Sequence, residues 1–307
     1  MFRFVLPAVF AVGGLAAPAL AEVPRVVASI KPVHALVAAV MGDLGTPSLI
    51  VKGAASPHTY SLRPSDAAAL QDADLVFWTG HGLELFLEDS IATLAPRADL
   101  VELAEAPGID LLPPREGGTF EPHENDEEGH DHDHEEEADM HFFLDPENAK
   151  AMVGEIVARL STADTEHAAD YAANGKSAIA DLDALLTETR TRLAPLVGRP
   201  FVVFHDAYQY FERRFDLAVA GSITVSPEVT PGAERIAEIR ARLKTLDAAC
   251  VFAEPQFDPR IIDVLIEGSN ARAGVLDPEG AALAEGPGLY RELIEGLASG
   301  LEQCLAP

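Results

Sequence analysis

Four residues able to ligate a metal are marked out by where they fall in the chain. His58 lies in Ser56-Pro57-His58, His141 precedes Phe142-Phe143-Leu144, His205 ends the apolar run Phe201-Val202-Val203-Phe204, and Asp277 ends Gly274-Val275-Leu276. Three imidazoles and a carboxylate meeting in one place would suit a borderline divalent ion in tetrahedral geometry, zinc above all, whereas a harder ion such as manganese would prefer more oxygen. Taken singly, each histidine reads equally well as an ordinary polar side chain, so the case depends on whether the fold brings them together. A second group, His123, His130, His132 and His134, is interleaved with Glu124, Asp131, Asp133 and Glu135 in residues 116–139, which hold twelve Asp or Glu, four His and no Lys or Arg. Such a stretch is expected to be a disordered loop that binds zinc weakly, the alternative being a solvated insertion without that role.

The elements that must position these residues follow from the apolar pattern. Short β-type runs near 25–30, 48–51, 75–79 and 99–103 alternate with helical patterns at 33–41, 65–71 and 83–94. The second half repeats the scheme, with runs near 201–204, 218–222, 250–253 and 274–276 and a helix over 233–246. This alternation predicts two α/β lobes, each built on a parallel sheet covered on both faces. Between them, apolar or small residues recur at three- and four-residue spacing from 168 to 196. That spacing predicts a stiff connecting helix, with two helices broken at Asn174-Gly175 as the alternative. Ligands of open parallel sheets bind beyond the carboxyl ends of the strands. His205, Asp277 and, in the loop after the run at 48–51, His58 fall there; His141 precedes an apolar run that leads to Asp145-Pro146 and a helix. The expected organisation is a signal peptide at 1–21, an N-terminal lobe at 22–160 carrying the acidic loop at 116–139, a connecting helix at 161–196 and a C-terminal lobe at 197–307.

Composition limits the partners. In 307 residues, 50 Asp and Glu against 22 Lys and Arg give a net charge of −28, which would repel a phosphate backbone, and no basic patch reverses the sign. Nucleic acid is therefore excluded as an expected partner. Arg3, the apolar run at 4–20 and Ala19-Leu20-Ala21 read as a secretory signal cut after Ala21; the run is short and interrupted by Gly13, Gly14 and Pro18, which weakens the reading as a membrane anchor. Export to a periplasm favours pairing of Cys250 with Cys304 over two separate buried thiols. The His-Glu-x-x-His, Gly-x-Ser-x-Gly and Walker signatures are absent, and Gly80-His81-Gly82 lacks the third glycine of a dinucleotide loop. His34 and His81 are read as supporting or surface residues, and His167 as lying on the solvated face of the connector.

Four motifs together carry a resemblance. Ser56-Pro57-His58-Thr59-Tyr60-Ser61-Leu62-Arg63-Pro64-Ser65-Asp66, His141-Phe142-Phe143-Leu144-Asp145-Pro146, Phe204-His205-Asp206-Ala207-Tyr208 and Phe252-Ala253-Glu254-Pro255-Gln256-Phe257 resemble the zinc-uptake substrate-binding proteins of ABC transporters, the ZnuA type within the family 9 (cluster A-I) solute-binding proteins. The resemblance covers essentially the whole chain after residue 21. It implies two α/β lobes with four-stranded parallel sheets joined by a long rigid backbone helix, with Zn²⁺ held in the cleft between them. His58, His141 and His205 match the family's three histidine ligands, with Asp277, another carboxylate or a water as the fourth. Manganese-binding relatives carry Glu at the third position, so His205 argues for zinc. Cys250 and Cys304 match the disulfide of zinc-binding relatives. The implied protein is no enzyme but a monomeric periplasmic receptor that delivers zinc to an ABC permease and ATPase at the inner membrane. Its rivals are an exported zinc-dependent hydrolase, since three histidines with an open water position also make a catalytic site, a manganese receptor of the same family, and a periplasmic metal buffer without a transporter.

Overall fold

The computed structural model of the chain describes residues 23–88, 90–115, 138–224, 227, 232–246 and 249–306. The expected signal peptide and the loop histidines His123, His130, His132 and His134 lie outside the described residues. Strands β1 (Val26–Ala28), β2 (Ser48–Leu49), β3 (Leu75–Trp78) and β4 (Asp99–Glu102) form a parallel sheet in the order β2-β1-β3-β4. Strands β5 (Pro200–His205), β6 (Ala218–Thr224), β7 (Cys250–Ala253) and β8 (Arg272–Val275) form a second, in the order β6-β5-β7-β8. β1, β3 and β7 are buried at every residue, so their sequences read as unbroken apolar runs without alternation. In each sheet the chain leaves the first strand to one side and then crosses to the other. The crevices beyond β1 and β3 and beyond β5 and β7 are therefore the two places where strand order reverses, and a ligand site is expected there.

In the N-terminal lobe, α1 (Lys31–Met41) and α2 (Pro64–Asp72) run as expected from their apolar spacing. The helix expected over 83–94 is instead two short ones, α3 (Leu85–Glu88) and α4 (Ile91–Leu94). Ser90 is the reason: its N–H takes the Leu87 carbonyl at 2.9 Å and its hydroxyl the Phe86 carbonyl at 3.0 Å, which ends α3 before the next turn can form. α5 (Pro146–Ala163) starts at Asp145, whose carboxylate accepts the Glu147 N–H at 2.9 Å, with Pro146 in the first turn where a missing N–H is harmless. α7 (Gln209–Phe215), α8 (Ala233–Leu246) and α9 (Arg260–Ile266) belong to the second lobe.

The connector is one continuous helix, α6 (Ala168–Leu193), 26 residues and so about 39 Å long, followed by a 3₁₀ turn at Ala194–Leu196. Asn174-Gly175 does not break it. Both residues serve the approach of neighbouring helices: Asn174 Nδ2 donates to the Val40 carbonyl at 3.0 Å at the end of α1, and a Cβ on Gly175 would lie 2.3 Å from Val157 Cγ2 of α5. A side chain there would hold α5 and α6 apart. α10 (Leu289–Leu305) packs on α6, β8 and also α1, so the last helix reaches back to the first lobe. Accordingly one apolar core, with Phe77, Phe142, Tyr171, Leu186, Phe201, Tyr290 and Leu297 among its members, runs through both lobes. The Cys250–Cys304 disulfide ties β7 to α10 inside it.

Polar contacts close the remaining seam. The Arg214 guanidinium takes both oxygens of Asp145 at 2.7 Å, Arg115 pairs with Asp206 and with Glu212, and Tyr290 Oη donates to the Phe143 carbonyl at 2.7 Å. Tyr210 Oη accepts the Leu112 N–H at 2.8 Å and donates to the Asp139 carbonyl at 2.6 Å, so residues on either side of 116–137 are both fastened to α7. Among the described residues, no helix is long and apolar enough to cross a membrane.

Candidate metal centre

The histidines come together at the seam. His58 sits on a 3₁₀ turn (Pro57–Thr59) after β2, His141 opens a second one (His141–Leu144), and His205 is the last residue of β5. Each offers a ring nitrogen within 4.8 Å of the other two, and the ring centroids are 5.2–5.5 Å apart. The Nε2 atoms of His141 and His205 are 3.4 Å apart. A tetrahedral ion with metal–nitrogen bonds of 2.0–2.1 Å separates its ligand atoms by about 3.3 Å, so this pair already stands at the spacing of two zinc ligands. Nε2 of His58 is buried and has no hydrogen-bond partner among the described residues. An orphaned acceptor facing two other imidazoles is costly unless something electrophilic sits between them.

Carboxylates behind two of the rings decide which nitrogen is free. His141 Nδ1 lies 2.8 Å from Asp139 Oδ1, and His205 Nδ1 lies 2.8 Å from both oxygens of Glu254. With Nδ1–H donating to the carboxylate, the Nε2 lone pair is left for a cation, and the negative charge makes that nitrogen a stronger donor. Tyr208 Oη donates to Glu254 at 3.1 Å and holds it in turn. Protonation follows the same layout. Burial, and then the neighbouring His141 and His205, push the His58 imidazole down to about 2, so it stays neutral. For His205, burial also acts downward, but the adjacent Glu254 carboxylate outweighs it and the imidazole is raised.

Asp277 is not brought into the three-histidine group. It stands at the carboxyl end of β8 as expected, but its oxygens turn to its own loop and to the loop after β7: Oδ1 accepts from Gln256 Nε2 at 3.1 Å and from the Glu279 N–H at 3.2 Å, and Oδ2 from the Ala281 N–H at 2.6 Å. Glu279 and Glu84 are buried nearby, and burial followed by the proximity of other carboxylates pushes Glu279 well up. Glu84 accepts from Ser29 Oγ at 2.5 Å and from Thr79, closing the crevice beyond β1 and β3. His34 is buried with Nε2 against the Pro47 carbonyl, His81 is exposed between Glu88 and Glu102, and His167, expected on an open helix face, instead joins Asp164 at the start of α6.

Sequence reasoning missed Asp139 and Glu254 as functional groups. Asp139 was hidden as one of twelve acids in an acidic stretch. Glu254 was findable: it follows the β7 run Cys250–Ala253, the same strand-end position that marked His205 and Asp277.

Residues 26–304 match the family described as the periplasmic zinc-uptake complex component A. A high-affinity zinc uptake system protein, ZnuA, of Brucella suis is 46% identical over 325 aligned positions, covering 98% of this chain and 97% of its own. The ZnuA of Paracoccus denitrificans is 39% identical, covering 96% of each chain. A crystal structure of a ZnuA superposes with a TM-score of 0.77 at 24% identity, over 93% of this chain and all of the other, which is a likeness of fold.

Proposed function

The chain belongs to the family of periplasmic zinc-uptake component A proteins, and from that premise we propose that His58, His141 and His205 hold its zinc ion where the two lobes meet. The protein is a zinc-binding receptor of a high-affinity zinc uptake system. The observation that carries the ligand assignment is the convergence of three imidazoles, two with Nδ1 engaged by a carboxylate and Nε2 turned toward one point. Three nitrogen donors favour zinc over manganese, which would call for oxygen in their place. A hydrolase would need, beyond the ion, a base and an organic pocket; the names of the relatives speak for carriage. In this reading the receptor works as a monomer in the periplasm, loads Zn²⁺ at the seam and passes it to an ABC permease driven by its ATPase at the inner membrane.

Binding requires neutral imidazoles, so affinity falls as pH drops. Burial pushes His58 down, and His205, raised by Glu254, brings proton competition to the site. Competition titration with a zinc chelator, on the native chain and on His58→Ala, His141→Ala and His205→Ala, tests the assignment. Each replacement should weaken binding severely; native affinity in all three would remove it. Residues His123, His130, His132 and His134 are proposed to hold further zinc weakly. Deleting residues 116–137, which spares Asp139, should lower the total zinc count while leaving the tight ion in place, and an unchanged count would dismiss the extra sites.

A further inference from the structure

Lys31 is the first residue of α1, a helix with no acidic residue in its first turn. A cation at that end opposes the helix dipole. It is also only 5% exposed, although burying an ammonium is expensive unless all its protons are matched. They are matched from the opposite lobe: Lys31 Nζ donates to the carbonyls of Gly280, Ala281 and Leu283 at 2.8, 2.9 and 3.1 Å. Those three acceptors use the whole donor capacity of an ammonium group. A residue that violates two local preferences for the sake of a contact 249 positions away marks a functional constraint.

The turn it grips belongs to the support of a ligand. Gly280, at φ +69°, takes the left-handed conformation that lets the chain fold back there. Asp277 binds the Ala281 N–H through Oδ2 and Gln256 Nε2 through Oδ1. Gln256 is two residues beyond Glu254, whose carboxylate holds His205 Nδ1. On the other side, Lys31 follows β1 after Ser29 and Ile30, and β1 pairs with β2, which leads to the His58 turn. An unbroken run of hydrogen bonds and short chain segments thus joins the His58 lobe to His205.

We propose that Lys31 is a positioning residue for zinc: it fixes the 280–283 turn of the C-terminal lobe against the N-terminal lobe and, through Asp277, Gln256 and Glu254, sets His205 at ligand distance from His58 and His141. It touches no metal. Its effect falls on how long the ion is retained, since an ion held by ligands from two lobes escapes when one of them drifts. The inference rests on the three-histidine site, and the experiment separates the two.

Lys31→Met keeps the apolar stem and removes the donors; Lys31→Arg keeps the charge but cannot place three protons on the same carbonyls. Zinc release into excess chelator is followed by stopped flow, and amide hydrogen exchange of residues 278–283 is measured in the zinc-loaded protein. Release from Lys31→Met should be roughly tenfold faster, the size of effect common for groups that orient ligands, with Lys31→Arg intermediate, one tight zinc still bound, and exchange at 278–283 accelerated. Release within twofold of native in both variants overturns the proposal. So does faster release with native exchange at 278–283, because Lys31 would then act by charge and not by position. Should Lys31→Met fail to fold, Lys31→Arg decides on the same two readings. A native chain that held no tight zinc would instead overturn the receptor reading.

Discussion

Replacing Glu254 with Gln tests whether the carboxylate behind His205 tunes the proposed metal site, and the structure gives the direction of the effect and of its pH dependence. Glu254 is 3% exposed, its two oxygens each lie 2.8 Å from His205 Nδ1, and it also accepts from Tyr208 Oη at 3.1 Å and the His205 N–H at 3.4 Å. Gln can still accept the Nδ1–H bond through its one oxygen and keeps the shape, so the change removes the charge and one of the two acceptors, and its amide nitrogen must turn from Nδ1–H. A hydrogen bond to a charged group is worth roughly 1.5–3 kcal/mol against about 1 for a neutral one, a difference of about 1.4 kcal/mol, or tenfold in affinity. The sign with pH is less obvious. The same carboxylate raises the His205 proton affinity in the metal-free protein, so Gln lowers the affinity of that nitrogen for its competitor as well. The deficit should be largest at pH 8, where protons compete least for His205. As pH falls toward 6, the native protein must displace a proton from His205 that the variant no longer holds, and the two affinities should converge. Chelator competition from pH 8 to 6 measures both. An affinity within twofold of native at pH 8, or a deficit that widens as pH falls, would refute the argument. Asp139→Asn should also weaken zinc binding, through His141, and the double change should depart from the sum of the two, since His141 and His205 Nε2 stand 3.4 Å apart and Asp139 acts on His205 as well.

Three further outcomes follow from the fold. Cys304→Ala opens a loop closed over 54 residues, which on chain entropy stabilises the fold by about 4 kcal/mol; urea unfolding should show a loss of that order, and a midpoint unchanged from native would contradict it. Gly175→Ala should destabilise the protein by about 1–3 kcal/mol despite the better helix propensity of Ala, because the new methyl meets Val157 at the α5–α6 crossing; a gain in thermal stability would show that the helices give way easily. His167 is raised by its hydrogen bond to Asp164, so its contribution is fully present below the unfolded-state histidine range and is lost as pH rises through the folded value. The stability difference between native and His167→Ala should therefore be larger at pH 6 than at pH 9, and a difference that grows with pH would assign the interaction the wrong sign.

What could be read from the sequence, and what could not, divides along one physical line. β1, β3, β5 and β7 were legible because a strand covered on both faces must be apolar throughout, and His205 because it is the first polar residue such a run allows. The continuous spacing of α6 was legible too, although its Gly175 reads as a break until α5 is seen pressing on it. Asp277 shows the limit of the same rule. Its place at the end of β8 was correct, but position does not say where a carboxylate points, and its oxygens are claimed by Gln256 and two loop N–H groups. Asp139 was lost for the opposite reason: it is one acid among twelve, and nothing local separates the one that faces His141.

The unreadable contacts are mostly pairings between the lobes: Lys31 with Gly280, Arg115 with Asp206, Arg214 with Asp145, Tyr290 with Phe143. No local pattern encodes them, because each partner satisfies only a need created by the other half of the chain. Yet these ties set the separation between the lobe that carries His58 and His141 and the lobe that carries His205. The types of the three proposed ligands are written in short motifs, and the distance between them is written in the seam. Zinc affinity should accordingly respond to substitutions along that seam that never approach the ion, and respond through the rate of release, since escape of the metal requires the two halves of the site to part.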